Sequence, residues 1–109
     1  MDRVLQYIGL ARKSGKLVIG TDSVIKSLQN NKIKLILIGS DASSSTLDKM
    51  EKKAFFYQIP LIKKYSSMEL SFAVGKRSSM VFGLTDKGFA EAIMRTLQEE
   101  TERGDHNEG

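Results

Sequence analysis

The chain is organised around residues 15–26, GKLVIGTDSVIK. The apolar run at residues 17–19 is typical of a short buried strand. Gly20 ends that strand, because a glycine backbone can turn sharply. Thr21 or Asp22 is then expected to cap a helix. The apolar positions of this helix are Val24, Ile25 and Leu28.

This strand–turn–helix junction concentrates polar groups on one small surface. The first N–H groups of a helix have no partner inside the helix, and the positive end of the helix dipole lies beside them. Lys26 follows about one turn inside the helix. The junction therefore suits an anionic group, although a glycine before a helix is about as often ordinary strand punctuation.

Length and composition exclude several classes of protein. A chain of 109 residues predicts one domain, and the absence of cysteine excludes disulfides and thiolate metal sites. The single histidine, His106, lies in a polar terminal segment, so no histidine metal site, catalytic triad or cofactor is expected. No apolar run approaches the roughly 20 residues of a membrane span and no signal peptide opens the chain, which predicts a cytoplasmic protein without a membrane partner.

Charge is distributed unevenly along the chain. The formal net charge is +4, but the residues after Leu97 contain five acidic side chains and one arginine, so residues 1–97 carry a net charge of +8. A compact domain of that sign suits a polyanionic partner such as nucleic acid. Basic residues also serve solubility alone, and charge by itself leaves these two interpretations equally open.

The chain alternates helical and strand patterns, which predicts an α/β fold. Helices are expected at residues 2–13, 22–30, 46–58, 66–74 and 86–97, and strands at 17–19, 33–39, 61–65 and 80–85. The expected architecture is a three-layer α/β/α sandwich around a small, mixed four-stranded sheet. Residues 1–98 form the single domain, and residues 99–109 are expected to be an acidic, flexible tail.

Three helix ends carry capping signals. Ser45 and Asp48 resemble a capping box with the shorter acid, and Ser66 and Glu69 form a second capping box. Asp86 is expected to cap the last helix.

The third helix carries an aromatic cluster. It is expected to bury one of Phe55 and Phe56, together with Leu47, Met50 and Ala54. Core packing of the cluster is favoured over base stacking.

A second candidate region is residues 74–79, VGKRSS, which form a tight basic loop. Small neighbours allow a nucleic-acid backbone to approach Lys76 and Arg77, and Arg77 can grip a phosphate or a guanine edge with two donors. Such a loop is usually only a solvated turn. The loop supports nucleic-acid binding only if it lies beside residues 15–26 in the folded chain.

Residues 15–26 resemble the signature of the kink-turn RNA-binding ribosomal protein family, the seven-Ae/thirty-e superfamily. The chain is most similar to the bacterial YlxQ-like branch, on residues 8–16, residues 34–39, the Ile59-Pro60 passage and residues 74–77. The resemblance covers residues 2–97. It implies a non-enzymatic RNA-binding protein of α/β/α fold.

In this family the turn into the second helix enters the groove of a kinked RNA, and the loop before the last strand covers an extruded nucleotide. The resemblance implies a groove-facing set of Gly20, Thr21, Asp22, Ser23 and Lys26. It places Lys16 beside the phosphates. It assigns the covering loop to Val74, Gly75, Lys76, Arg77 and Ser78.

The chain departs from the family at the helix start, where asparagine followed by glutamate is usual and Asp22 and Ser23 stand instead. Asp22 keeps an acceptor, lacks the amide donor and adds negative charge near RNA, while Ser23 reaches less far than glutamate. Lost bidentate readout costs on the order of 1–3 kcal/mol per base contact, so a weakened or altered kink-turn preference is predicted. Alternatively, Asp22 is a structural N-cap worth about 1 kcal/mol, and both roles can hold together.

The expected partner is structured RNA, either ribosomal RNA or the ribosome, with a monomer favoured. The alternative is a protein–protein interaction module on the same fold, which the acidic tail and the Asp22–Ser23 pair favour. An RNA-modifying enzyme is the least favoured hypothesis, because 109 residues are expected to hold the binding domain and a tail without a catalytic domain.

Overall fold

Helices and short strands alternate in the computed structural model, which describes residues 2–75 and 78–108, with side chains described as far as Glu102. The elements are α1 Arg3–Lys13, β1 Leu17–Ile19, α2 Thr21–Gln29, β2 Leu35–Ile38, α3 Ser44–Tyr57, β3 Leu61–Ile62, α4 Ser67–Val74, β4 Val81–Leu84 and α5 Lys87–Glu108. Within the described residues, no helix holds a stretch that is both long and apolar enough to cross a membrane.

The four strands form one mixed sheet in the order β1-β4-β2-β3. Strand β4 is antiparallel to both β1 and β2, and β3 is parallel to β2. The predicted α/β fold with a small mixed sheet is confirmed. Because β1 and β2 both run antiparallel to β4, their carboxyl ends lie at the edge where β4 begins.

Strand β2 separates two hydrophobic layers. Leu35 and Leu37 pack with buried residues of α1, α4 and α5 on one face, whereas Ile36 and Ile38 pack with α2 and α3 on the other. All four side chains are fully buried. The alternation follows from the period of two of a strand, and it produces the three layers.

Two predicted helix starts are confirmed. The Ser66 hydroxyl accepts from the N–H of Glu69, and the Glu69 carboxylate accepts from the N–H of Ser66, which completes a capping box. Asp86 accepts from the N–H of Phe89 at 2.8 Å, as an N-cap should.

Two other predicted helix starts are wrong. Gly20 occupies the N-cap position of α2 and no side chain caps it, so neither Thr21 nor Asp22 does so. Helix α3 begins two residues earlier than expected, because the hydroxyl of Ser43 accepts from the N–H of Thr46 at 3.2 Å. Serines cluster before α3, and spacing alone does not select the one that caps.

The expected burial of one phenylalanine in α3 is also wrong. Phe55 is 80% exposed and Phe56 is 76% exposed. Met50 and Ala54, four residues apart, face the sheet and are buried there. Each helical residue turns the chain by about 100°, so the two residues that follow Ala54 point away from the core.

Helix α5 runs past the predicted domain boundary at residue 98 and reaches Glu108. Glu100 forms an ion pair with Lys64, which follows β3, over 3.3 Å. The first acidic residues of the tail therefore continue a helix that contacts the sheet layer. Flexibility of residues 99–109 stays a prediction.

Candidate nucleic-acid interface

The end of β1 and the start of β4 lie side by side. Ile19 pairs with Phe82 in the antiparallel ladder, and the N–H of Gly20 donates to the carbonyl oxygen of Val81 at 2.9 Å. The N–H of Gly39, which follows β2, donates to the carbonyl oxygen of Met80 at 2.8 Å. We call the sheet edge at Gly20, Gly39 and Met80 the binding edge.

Helix α2 starts at the binding edge. Gly20 has φ 107° and ψ 145°, a conformation that side-chain-bearing residues rarely adopt, and its carbonyl oxygen accepts the first helical bond from Val24 at 2.9 Å. The backbone alone therefore sets the start of this helix. The positive end of the helix dipole lies at this edge, with no side chain capping it.

The exposed face of α2 presents three polar side chains of the predicted set. Asp22 and Ser23 are exposed in the first turn. Lys26 is also exposed, and it follows Asp22 by four residues and Ser23 by three. These spacings bring the three side chains together on one face. Among the described residues, the ion pairs lie elsewhere, so the Lys26 ammonium group is available to an external anion. Thr21 is half-buried beside them.

The loop before β4 reaches the same edge. Gly75 ends α4 in the left-handed conformation, with φ 66°, and Ser78 is exposed. The N–H of Ser79 donates to the hydroxyl of Ser71 in α4 at 3.1 Å. This hydrogen bond fixes the chain just before β4 to α4. Val74, the last residue of α4, is buried in the core, so its side chain is not available to a ligand. Lys76 and Arg77 lie outside the described residues.

Lys16 lies at the other end of β1. Its carbonyl oxygen accepts from the N–H of Thr85, beyond the end of β4, at 2.9 Å. Four residues of extended chain separate its backbone from Gly20, which amounts to about 13 Å. The structure therefore places Gly20, at the start of α2, beside Val81, which follows Ser78 by three residues, whereas the backbone of Lys16 lies at the far end of β1.

The structure adds one polar contact to the binding edge that the sequence analysis did not predict. The carboxylate of Asp41, just after β2, accepts from the N–H of Ser67 at 2.8 Å and from the Ser67 hydroxyl at 2.6 Å. The hydrogen bond from the Ser67 hydroxyl, and to a smaller extent the one from the Ser67 N–H, hold the pKa of Asp41 below its ordinary value. The contact fixes the start of α4 to the end of β2. A serine and an aspartate 26 residues apart give no local signal of it.

Comparison with known proteins finds relatives that match most of the chain. An Enterococcus faecium protein named RNA-binding protein YlxQ is 35% identical over 96 residues, which covers 88% of this chain and 92% of that protein. A Bacillus subtilis (strain 168) protein of the same name is 39% identical over 90 residues, with coverages of 83% and 90%. The resemblance to the YlxQ-like branch is thereby confirmed.

Solved structures agree with this fold. A Bacillus halodurans protein of unknown function superposes with a TM-score of 0.86 at 31% identity, over 90% of this chain and 99% of that one. The Giardia lamblia 15.5kD RNA binding protein superposes with a TM-score of 0.75 at 12% identity, over 91% and 88% of the two chains, which shows the fold alone. The model of the ribosomal protein L7Ae/L30e/S12e/Gadd45 family matches residues 2–93. The chain belongs to this family.

Proposed function

We propose that the protein binds structured RNA of the kink-turn type through the binding edge. The observation that carries the proposal is the hydrogen bond between Gly20 and Val81, which joins the start of α2 to the strand that follows the basic loop. The names of the two YlxQ relatives support RNA as the partner class. Ribosomal RNA, met in the cytoplasm, is the proposed target.

The chemistry of the edge suits recognition without reaction. Asp22 and Ser23 offer acceptors to the amino and imino donors of guanine, and Lys26 offers a cation to a phosphate or to guanine O6. Gly75 and Ser78, which have little or no side-chain bulk, let the loop approach a displaced nucleotide closely. The protein then stabilises a bent RNA and breaks no bond in it.

Asp22 contributes to the specificity of this site. Because Gly20 occupies the N-cap position, Asp22 is not the cap of α2. Its carboxylate is exposed on the same face of the helix as Lys26, four residues further on. A carboxylate in place of the family's asparagine repels phosphates and cannot donate to a base. Kink-turn binding is therefore weaker, or differently selective, than that of relatives with asparagine.

Binding of a kink-turn duplex and of a straight duplex of equal length, at several salt concentrations, tests the proposal. We expect tighter binding of the kink-turn duplex. If about four phosphates are neutralised, the logarithm of the affinity falls with the logarithm of the salt concentration at a slope of about −3 to −4. The Lys26→Ala variant should weaken binding and make the slope less steep by about 1.

Lys32→Ala is the matched control, because Lys32 is exposed beyond the opposite end of α2. Its affinity should stay close to that of the unmodified protein. Equal affinity for both duplexes would refute kink-turn recognition while leaving RNA binding intact. Failure to bind either duplex would refute binding of structured RNA and favour the protein-interaction module.

A further inference from the structure

Phe55 and Phe56 form an exposed aromatic pair on the outer face of α3. They are 80% and 76% exposed, and the ring of Phe56 packs edge-on against Tyr57 with the ring centroids 4.9 Å apart. A shallow hollow of about 560 Å³ lies against the pair and is also lined by Glu51, Lys52 and Gln58. Two adjacent large apolar side chains on a solvent face usually mark a binding surface.

Three lysines precede this pair on the same helix, and Glu51, which also lines the hollow, is paired with Lys63. Lys52 precedes Phe55 by three residues and Phe56 by four, so its side chain lies on the face that carries both rings. Its ion pair with Asp48, 3.1 Å long, leaves both side chains largely exposed and is weak. Lys49 and Lys53 take part in no ion pair among the described residues.

Helix α3 connects the aromatic pair to the binding edge. The helix starts at Ser44, five residues after Gly39, and packs with α2 on one face of the sheet. Lys49 and Lys52 follow along the helix, and Phe55 lies about 17 Å from its start. A strand of RNA that leaves the binding edge along α3 would meet the lysines first and the rings next.

We propose that Phe55 and Phe56, with Lys49 and Lys52, form a second RNA contact that stacks unpaired bases of a single-stranded segment next to the structured RNA. Aromatic rings among cations bind single strands in this way, because every base has a stacking face and every phosphate a charge. The role of the rings as a second contact rests on RNA binding at the edge, whereas their affinity for a single strand can be measured independently. A second copy of the chain fits poorly here, since the lysines of the two copies would repel each other.

Two RNAs test this contact: a blunt-ended kink-turn duplex, and the same duplex with an unstructured single-stranded extension of about eight nucleotides. The unmodified protein should bind the extended RNA more tightly. The double variant Phe55→Ala, Phe56→Ala should lose that gain, about fivefold or more for each base that stacks, and should bind the blunt duplex unchanged. Met94→Ala, which truncates an exposed apolar side chain on α5, is the control and should keep the gain.

A second variant separates stacking from apolar docking. Phe55→Leu, Phe56→Leu keeps apolar area without an aromatic face, so it should lose the gain as the alanine variant does, while Phe55→Tyr, Phe56→Tyr should keep it. If the alanine variant binds the extended RNA as tightly as the unmodified protein, the proposal is overturned and the rings are left as a surface for a protein partner.

The single-stranded oligonucleotide alone provides an arm that does not depend on the kink-turn. The unmodified protein should bind it weakly and the alanine variant should bind it several-fold less. This result would stand even if neither duplex were retained, in which case the proposal for the binding edge fails and the aromatic contact does not. Equal binding of the oligonucleotide by both proteins would count against the aromatic contact alone.

Discussion

The N–H of Gly20 donates a hydrogen bond to the carbonyl oxygen of Val81 over 2.9 Å. This bond extends the β1–β4 ladder by one residue into the turn before α2. The relative position of the α2 start and the approach to β4 therefore depends on backbone atoms. Substitutions at the exposed positions of α2 should change the chemistry of the binding edge without moving it.

Gly20→Ala should lower the free energy of unfolding by about 1–3 kcal/mol, because a Cβ is strained at φ 107° and ψ 145° although space is available for it. Chemical denaturation measures the change. The control Gln29→Ala, at an exposed position of α2, should alter stability by less than about 0.5 kcal/mol. A Gly20→Ala protein as stable as the unmodified one would show that the turn adopts another conformation.

Asp22→Asn should bind the kink-turn duplex more tightly, by about fivefold or more, since it removes a negative charge and adds an amide donor. Stability should fall by a few tenths of a kcal/mol, because a carboxylate in the first turn favours the helix dipole. Glu91→Gln, which removes an exposed charge from α5, is the control for net charge. An equal gain of affinity in both variants would mean that Asp22 does not contact the RNA.

Gly9→Ala should destabilise the protein, against the usual trend within helices. Alanine normally favours a helix over glycine by about 1 kcal/mol. Here the added Cβ would lie 2.9 Å from the backbone carbonyl oxygen of Ala73, where α1 crosses α4, and overpacking costs about 1–3 kcal/mol. Thermal unfolding should show a lower midpoint, while Gln6→Ala, at an exposed position of α1, should change it little. A higher midpoint for Gly9→Ala would contradict the close packing of the two helices.

Asp41→Asn should lower stability at neutral pH, because the amide cannot accept both hydrogen bonds that Ser67 donates. The pKa of Asp41 is lowered in the folded protein, so the carboxylate stabilises the fold above its ordinary pKa of 3.8. This stabilisation is lost as the pH falls through the lowered pKa. Denaturation across pH 2–7 should show the difference between the two proteins shrinking with acidity.

Ser67→Ala supplies the control for the aspartate, since it removes only the hydroxyl donor. The double variant Asp41→Asn, Ser67→Ala should destabilise less than the sum of the two single variants. Strict additivity would mean that the contact contributes nothing to stability.

Local signals in the sequence are sufficient for much of the fold. The buried run of β2 predicts a central strand covered on both faces, and the pattern Ser66–Glu69 predicts the start of α4, because each depends on residues close together in the chain. The resemblance to the family identifies the α2 start and the basic loop as candidate RNA contacts. Local signals fail where several residues compete for one role, as the serines before α3 do.

The sequence alone determined the order of the elements and the basic charge of the domain, because periodicity and charge are properties of short segments. The residues proposed to contact RNA came from the resemblance to the family. Only the tertiary structure decided that the α2 start lies beside the first residue of β4, since this needs strands from distant parts of the chain to pair. The same packing set Lys16 apart and turned Phe55 and Phe56 to solvent. Which face of a helix is covered depends on what the rest of the chain brings against it.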